Sequence, residues 1–299
     1  MKKIAYLFDS SSGILKDEPD KDIYVVPLNI QYELNNQIKS FAENVDITYD
    51  EITNLLKQNK NLKTSLLNPF ILKEKVFLLL KEYEEVIYIP ISYSLSATYE
   101  KVLPLINEIN EEYHKQRFSV IKSNAVSHFA YIIMQKIKEE YDGTNLKEIQ
   151  DLILQDVKDQ KYCGILFVND LQTLIKGGRI KKVKGAIASI LNLKLLVLMS
   201  ETLDFLDKAL TFEKQLDKAF NYFNEVAKKN NSAIKEVCFV KGGNESINEK
   251  YETDLKIYEK VKKELNLADE PIFSTAILPG VILCHTGVSC YAMLVRLDS

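Results

Sequence analysis

Short apolar runs alternate with longer amphipathic stretches through the first half of the chain, and that alternation sets the fold class. IAYLF (4–8), YVVPLNIQY (24–32), VIYIPI (86–91) and FSVI (118–121) read as strands, the second interrupted at Pro27. Helical periodicity covers 50–58, 69–83, 96–113 and 126–141, with Asn68 and Pro69 as cap and first-turn proline of the second helix. Strands separated by helices of this length imply βαβ units and a mostly parallel sheet. The turn cluster Asp142-Gly143-Thr144-Asn145 precedes a helix over 146–159, and beyond it the pattern changes. CGILFV (163–168) predicts a strand, a short helix ends at Gly177-Gly178, and a helix is expected near 182–191. A hairpin over 193–210 turns at 200–202, followed by a helix (212–229), a strand (237–240), a helix (246–265) and a final strand region (272–298). The prediction is an α/β protein of two domains. Residues 1–160 carry a mostly parallel sheet with flanking helices, and 161–299 carry an α/β domain with a mixed sheet.

Length agrees, since 299 residues exceed what one core usually serves. A net charge of −3, with Lys and Glu interspersed, gives no nucleic-acid footprint; KKVK at 181–184 reads as a solvated face. MKKIAYLFDS has too short an apolar run for a signal peptide, and no stretch reaches the ~20 apolar residues of a membrane span. Cys163 and Cys238 sit in apolar strand-like runs and no CxxC occurs, so buried reduced thiols and a cytoplasmic location are expected.

The most informative chemistry lies in IPISYSLSATY (89–99). Ser92, Ser94, Ser96 and Thr98 crowd a strand-to-helix turn, where unpaired N–H groups and the helix dipole favour a carboxylate or phosphate. One helix start needs fewer hydroxyls than this for capping, which favours a ligand. DSSSG (9–13) ends the first strand, where open α/β sheets bind ligands; Asp9 capping the next turn is an equal alternative. Lys63-Thr64-Ser65 precedes a helix and alone reads as caps. In LIKGGRIKK (174–182) the glycines fit a helix C-cap, and Arg179 after it reads from physics alone as a surface arginine. His285 in LCHTG has no paired Asp or Cys in evident reach, and no metal-ligand spacing appears. Walker, Rossmann and nucleophile-elbow motifs are lacking, so no cofactor and no metal is expected.

In this order these pieces resemble the DegV family, bacterial fatty-acid-binding proteins that serve fatty acid kinase. The family's DS-T/S, TSQP-like, ISSGLSGTY, DL-x-x-L-x-x-GGRI and H-x-G motifs read here as DSSSG, TSLLNP (64–69), ISYSLSATY (91–99), NDLQTLIKGGRI (169–180) and HTG (285–287). The resemblance spans essentially the whole chain. It implies a fatty acid in a cleft between two domains, its carboxylate held by the hydroxyls of Thr64 and Ser96 with His285 nearby. Ser65, Ser92, Ala97, Thr98 and Thr286 would neighbour the head group, and Arg179 would face the kinase or the interface. It further implies a non-catalytic lipid-binding protein that presents the acid to a separate ATP-dependent kinase subunit, which makes acyl phosphate for phospholipid synthesis. Peripheral membrane contact would serve lipid exchange. A hydroxyl suits that task because it bonds a carboxylate while leaving it nucleophilic, whereas a buried bidentate arginine would draw off charge. The tail supplies affinity at ~0.8 kcal/mol per methylene, roughly 10 kcal/mol gross for about 16 carbons. The apolar stretches after Ser96 and around 184–199 are the expected tunnel walls.

The departures fall at particular places. Tyr93-Ser94 stand where the family has Ser-Gly, and Ala97 replaces a glycine. KSNAVSHFA (122–130) replaces DS-x-x-x-S-x-G, Leu210 stands where an arginine is usual, and the close is HTGVSC rather than H-x-GPGA. Two other readings compete: a lipid sensor or carrier without kinase coupling, and a lipid esterase or acyl transferase using Ser96 and His285.

Overall fold

The computed structural model describes residues 3–169, 171–179, 193–243 and 247–298, without the side chains of 171–172 and 247–255. The helix expected near 182–191, Ile180 of the GGRI motif and most of the expected wall at 184–199 lie outside the described residues. The chain forms two compact units, 1–155 with 279–284, and 156–278 with 285–299. The expected single boundary at residue 160 contains no hint of the six-residue excursion of the chain into the first unit.

In the first unit the elements run β1 (Ile4–Asp9), β2 (Ile23–Val26), β3 (Asn29–Leu34), β4 (Gln37–Ala42), α1 (Tyr49–Lys57), β5 (Lys63–Ser65), α2 (Pro69–Leu79), β6 (Glu85–Ile89), α3 (Thr98–Glu112), β7 (Phe118–Val120), α4 (His128–Glu140) and α5 (Leu146–Lys158), the last running into the second unit. One sheet has the order β2-β1-β6-β7, all parallel, as the βαβ grammar requires. Its central strands are continuous apolar runs because both faces are covered. Ala5 and Leu7 face the side packed by Leu72 and Val76 of α2 and Val102 of α3, whereas Tyr6 and Phe8 face Ile133 and Ile137 of α4 and Ile153 of α5. A second sheet, β4-β3-β5, is antiparallel and was not foreseen in the sequence. The predicted strand 24–32 is in fact two strands in two sheets, and Pro27 lies at the break.

The second unit contains β8 (Tyr162–Val168), α6 (Leu171–Gly177), β9 (Lys194–Met199), β10 (Leu203–Ala209), α7 (Phe212–Lys229), β11 (Ile234–Lys241), α8 (Ile247–Glu264), β12 (Leu267–Ile277), α9 (Gly280–Thr286, shared with the first unit) and β13 (Cys290–Leu297). Its sheet, β10-β9-β8-β13-β11-β12, is mixed, with only β11 and β12 paired in parallel. Helix α7 shows why its limits were readable: Thr211 accepts the Lys214 N–H at 3.3 Å as a cap, and Leu216, Ala219, Phe220, Phe223 and Ala227 make one buried stripe. All four cysteines are buried free thiols. Among the described residues no helix is long and apolar enough to cross a membrane, and no cluster of acidic, His or Cys side chains could hold a metal.

Candidate functional site

In the parallel sheet β2 lies on one side of β1 while β6 and β7 lie on the other, so the crevice at the strand ends opens between β1 and β6. Asp9 closes β1 there. One carboxylate oxygen accepts the N–H and hydroxyl of Ser11, and the other accepts the Ile91 N–H at 2.8 Å and the Tyr88 hydroxyl at 3.1 Å. Four donors fill a carboxylate's capacity, so Asp9 is a clamp joining β1 to the loop after β6. Burial pushes its carboxyl above the ordinary range, against those hydrogen bonds. Of the two readings of DSSSG, capping is the one the geometry shows.

The clamped loop holds the hydroxyl-rich turn. Ser92 and Tyr93 donate their N–H groups to the carbonyls of Ala125 and Ser123, at 2.6 and 3.2 Å, which pins the turn to the loop after β7. The hydroxyls then pair. Ser92 Oγ lies 2.8 Å from Ser94 Oγ, and Ser96 Oγ lies 2.9 Å from Thr98 Oγ1. Ser96 Oγ also accepts the Thr98 N–H at 3.3 Å. Thr98 is only 1% exposed, whereas Ser96 is half-buried and Ala97 exposed. The Thr98 hydroxyl is shielded from water and either hydroxyl of the pair can donate; when Thr98 does, the Ser96 proton is left for an acceptor on the open side. Ser92 and Ser94 bond each other and the turn, so they stabilise the loop.

Thr64 and Ser65 belong to β5, paired with Ile30 and Asn29 of β3, and not to a pre-helix cap; Asn68 caps α2, accepting the Phe70 N–H at 3.0 Å. Successive strand residues point to opposite faces, so Thr64 and Ser65 project from opposite faces of β5.

In the second unit α6 stops at the glycine pair. Gly178 has φ +70° and donates to the Ile175 carbonyl at 3.1 Å, the left-handed C-cap that a side chain would resist. Gly177 is required for a different reason: a Cβ there would sit 2.7 Å from the His285 carbonyl oxygen. This close approach lets Arg179 Nη1 donate to the Gly177 carbonyl at 2.7 Å and reach His285 Nδ1 at 3.2 Å. Guanidinium has only donors, so Nδ1 can accept from it, while the His285 ring also bonds the Gly177 backbone; the tautomer sets which nitrogen does which. Burial, then the Arg179 charge, push the His285 pKa down to about 4, and the ring is neutral at pH 7. Arg179 is exposed, as expected of a surface arginine, and is also the partner of His285, a pairing sequence reasoning missed. Its only signal was a second glycine beyond what a C-cap needs. Thr286 is buried, with its hydroxyl on the Cys290 thiol, and faces inward.

The same unit has an apolar cavity of about 210 Å³ between α8 and the sheet, lined by Val237, Phe239, Ile257, Val261, Phe273 and Met293. That is smaller than a typical ligand pocket of roughly 300–1,000 Å³, and suits part of an alkyl chain.

The first unit thus carries a hydroxyl pair at the switch point of its parallel sheet, and the second an Arg–His pair at a helix end; no metal-ligand cluster occurs among the described residues. The family model for DegV, described as an uncharacterised protein family, matches residues 3–296, and the chain belongs to that family. It is 27% identical to a DegV domain-containing protein of Mycoplasma genitalium, with all of both chains covered. It is likewise 27% identical to one of Staphylococcus aureus, over 99% of each. Among solved structures, a DegV family protein of Thermus thermophilus described as fatty-acid binding superposes with a TM-score of 0.78 at 22% identity, covering 99% of this chain and all of that one. A stearic-acid-binding protein of Eubacterium ventriosum gives 0.79 at 19% identity, covering 99% and 98%. A DegV family protein of Eubacterium eligens loaded with heptadecanoic acid gives 0.75 at 18%, covering 99% and all of that chain. These likenesses establish the two-unit α/β fold.

Proposed function

We propose that the protein binds a long-chain fatty acid, with its carboxylate on the hydroxyls of Thr64 and Ser96 and with a neutral His285 nearby. Arg179 lies against Nδ1 of that histidine. The observation that carries this reading is the Ser96–Thr98 pair, a half-buried hydroxyl held by a buried one at the strand-to-helix turn. The fatty acids named for the structural relatives and the apolar cavity of the second unit support it. The bound acid is then presented to a separate ATP-dependent fatty acid kinase, which forms acyl phosphate for phospholipid synthesis; the protein itself performs no chemistry. An esterase role is disfavoured by the cation beside His285 Nδ1. A catalytic histidine gives its Nδ1 proton to a carboxylate and keeps Nε2 as the base, whereas here Nδ1 faces a guanidinium.

Native mass spectrometry of protein purified from cells is expected to show a co-purified fatty acid. Ser96→Ala and Thr64→Ala should each weaken its retention, by roughly 5- to 30-fold if each removes about 1–2 kcal/mol of hydrogen bonding. Protein that carries no lipid and takes up neither palmitate nor oleate would overturn the proposal. Kinase coupling is checked by pull-down of the host's kinase subunit. Retained lipid without pull-down would leave a sensor or carrier.

A further inference from the structure

Helix α9 begins without a cap of its own. Its first N–H groups, on Gly280 and Val281, follow Pro279, which has no side-chain acceptor to offer them. The acceptor comes from far away in the sequence. Glu43, just after β4 and only 2% exposed, accepts the Val281 N–H at 3.1 Å on Oε1 and also bonds the Gly280 N–H. Its other oxygen accepts the Ser10 hydroxyl proton, and Ser10 Oγ accepts the Leu28 N–H at 3.0 Å. The Glu43 backbone N–H donates to the carbonyl of the same Leu28 at 2.9 Å. Glycine at 280 is part of the fit: a Cβ there would lie 2.7 Å from Glu43 Oε1 and 2.6 Å from Ile52 Cδ1. Below this contact Val281 and Cys284 enter the core of the first unit.

We infer that Glu43 is a positioning residue: with Ser10 it caps α9 from outside and holds the 279–284 excursion in the first unit, which fixes the backbone leading directly into His285. A buried carboxyl is costly to keep, and a serine or asparagine next to the helix would cap it more cheaply. A long-range carboxyl does what a local cap cannot. It ties the helix start to Ser10, the residue following the Asp9 clamp, and so to the loop that bears Ser96. The ionisable groups facing Glu43 are Asp9, at the end of β1, and the Cys284 thiol, in α9. Neither is a cation, so Glu43 has no charge partner among them and its role rests on the N–H and hydroxyl donors.

The effect on lipid rests on the proposed role of His285, but the latch can be tested without lipid. Hydrogen–deuterium exchange is followed on the lipid-free full chain for wild type, Glu43→Ala, Glu43→Gln and Ser10→Ala. Glu43→Ala should speed exchange of the 280–286 amides at least tenfold, with α2 and α7 unchanged. Glu43→Gln, which keeps one carbonyl acceptor, should restore most of the protection, and Ser10→Ala should fall between. Unchanged exchange at 280–286 in folded Glu43→Ala would overturn the inference, as would Glu43→Gln exchanging as fast as the alanine variant. Should Glu43→Ala not fold, the Gln and Ser10 variants decide by the same readout. Oleate dissociation is the second arm. Faster release from the variants with the fastest exchange extends the latch to the head group, whereas failure of wild type to bind oleate overturns the lipid reading and leaves the exchange result standing.

Discussion

Ser96 and Thr98 carry the same functional group in different surroundings. Both are hydroxyls two residues apart at one helix start, but Thr98 has lost its water and Ser96 has not. The shielded group hydrogen-bonds the half-exposed one and limits how its proton can turn. Thr98→Val conserves shape, removes that hydrogen bond and leaves Ser96 free to rotate. It should weaken oleate binding by about 1 kcal/mol, roughly fivefold, with little change in stability, as read by competition against a fluorescent fatty acid. Equal binding by the valine variant would mean that Ser96 is oriented by something else. The sequence made the crowding of hydroxyls visible, but ranking Ser96 above Ser92 on physical grounds required burial and partners. Glu43 was invisible for the same reason: nothing in AENVD marks a carboxyl that will lie against a helix more than 200 residues later.

At the scale of elements, long amphipathic helices were legible and short pieces were not. The 18 residues of α7 match the expected limits because a capping threonine and a repeated apolar stripe specify them locally. The three-residue β5 has no period to read, and β4 exposes most of its residues on both faces, so each exists through its pairing with β3. Helix α9 is seven residues long with an imported cap, and read from the sequence as an apolar run before a turn. The approach of Gly177, at the end of α6, to His285 is likewise a tertiary matter. Gly177→Ala places a methyl against the His285 backbone and should cost about 1–3 kcal/mol in urea unfolding. It should also release Arg179, so that the His285 pKa measured by NMR rises from about 4 toward ordinary histidine values.

For the whole molecule, the buried carboxyl and the buried imidazole give stability opposite pH slopes. Glu43 holds its proton to about pH 7 in the fold and releases it near 4.5 when unfolded, so the native state binds more protons in between and stability falls as pH rises. His285 has its pKa depressed to about 4, so the unfolded chain binds more protons between about 4 and 6.5 and stability rises with pH there. Glu43→Gln removes the first slope and leaves the second. The melting temperature of Glu43→Gln relative to wild type should therefore climb from about pH 5 to about pH 7, as followed by calorimetry. A constant difference across that range would show that Glu43 ionises normally in the fold.

The sequence by itself determined the α/β class, the parallel first sheet and the mixed second one, most of the helices and the family motifs, because periodicity and capping are local properties of the chain. Tertiary structure decided what those motifs do. It made Asp9 a clamp, set Thr64 and Ser65 on opposite faces of a strand, brought Arg179 to His285, and placed the start of α9 on Glu43. Each of these depends on which groups lose water together and which donors then meet which acceptors. Residues far apart in the chain settle that jointly, so no local pattern could carry it.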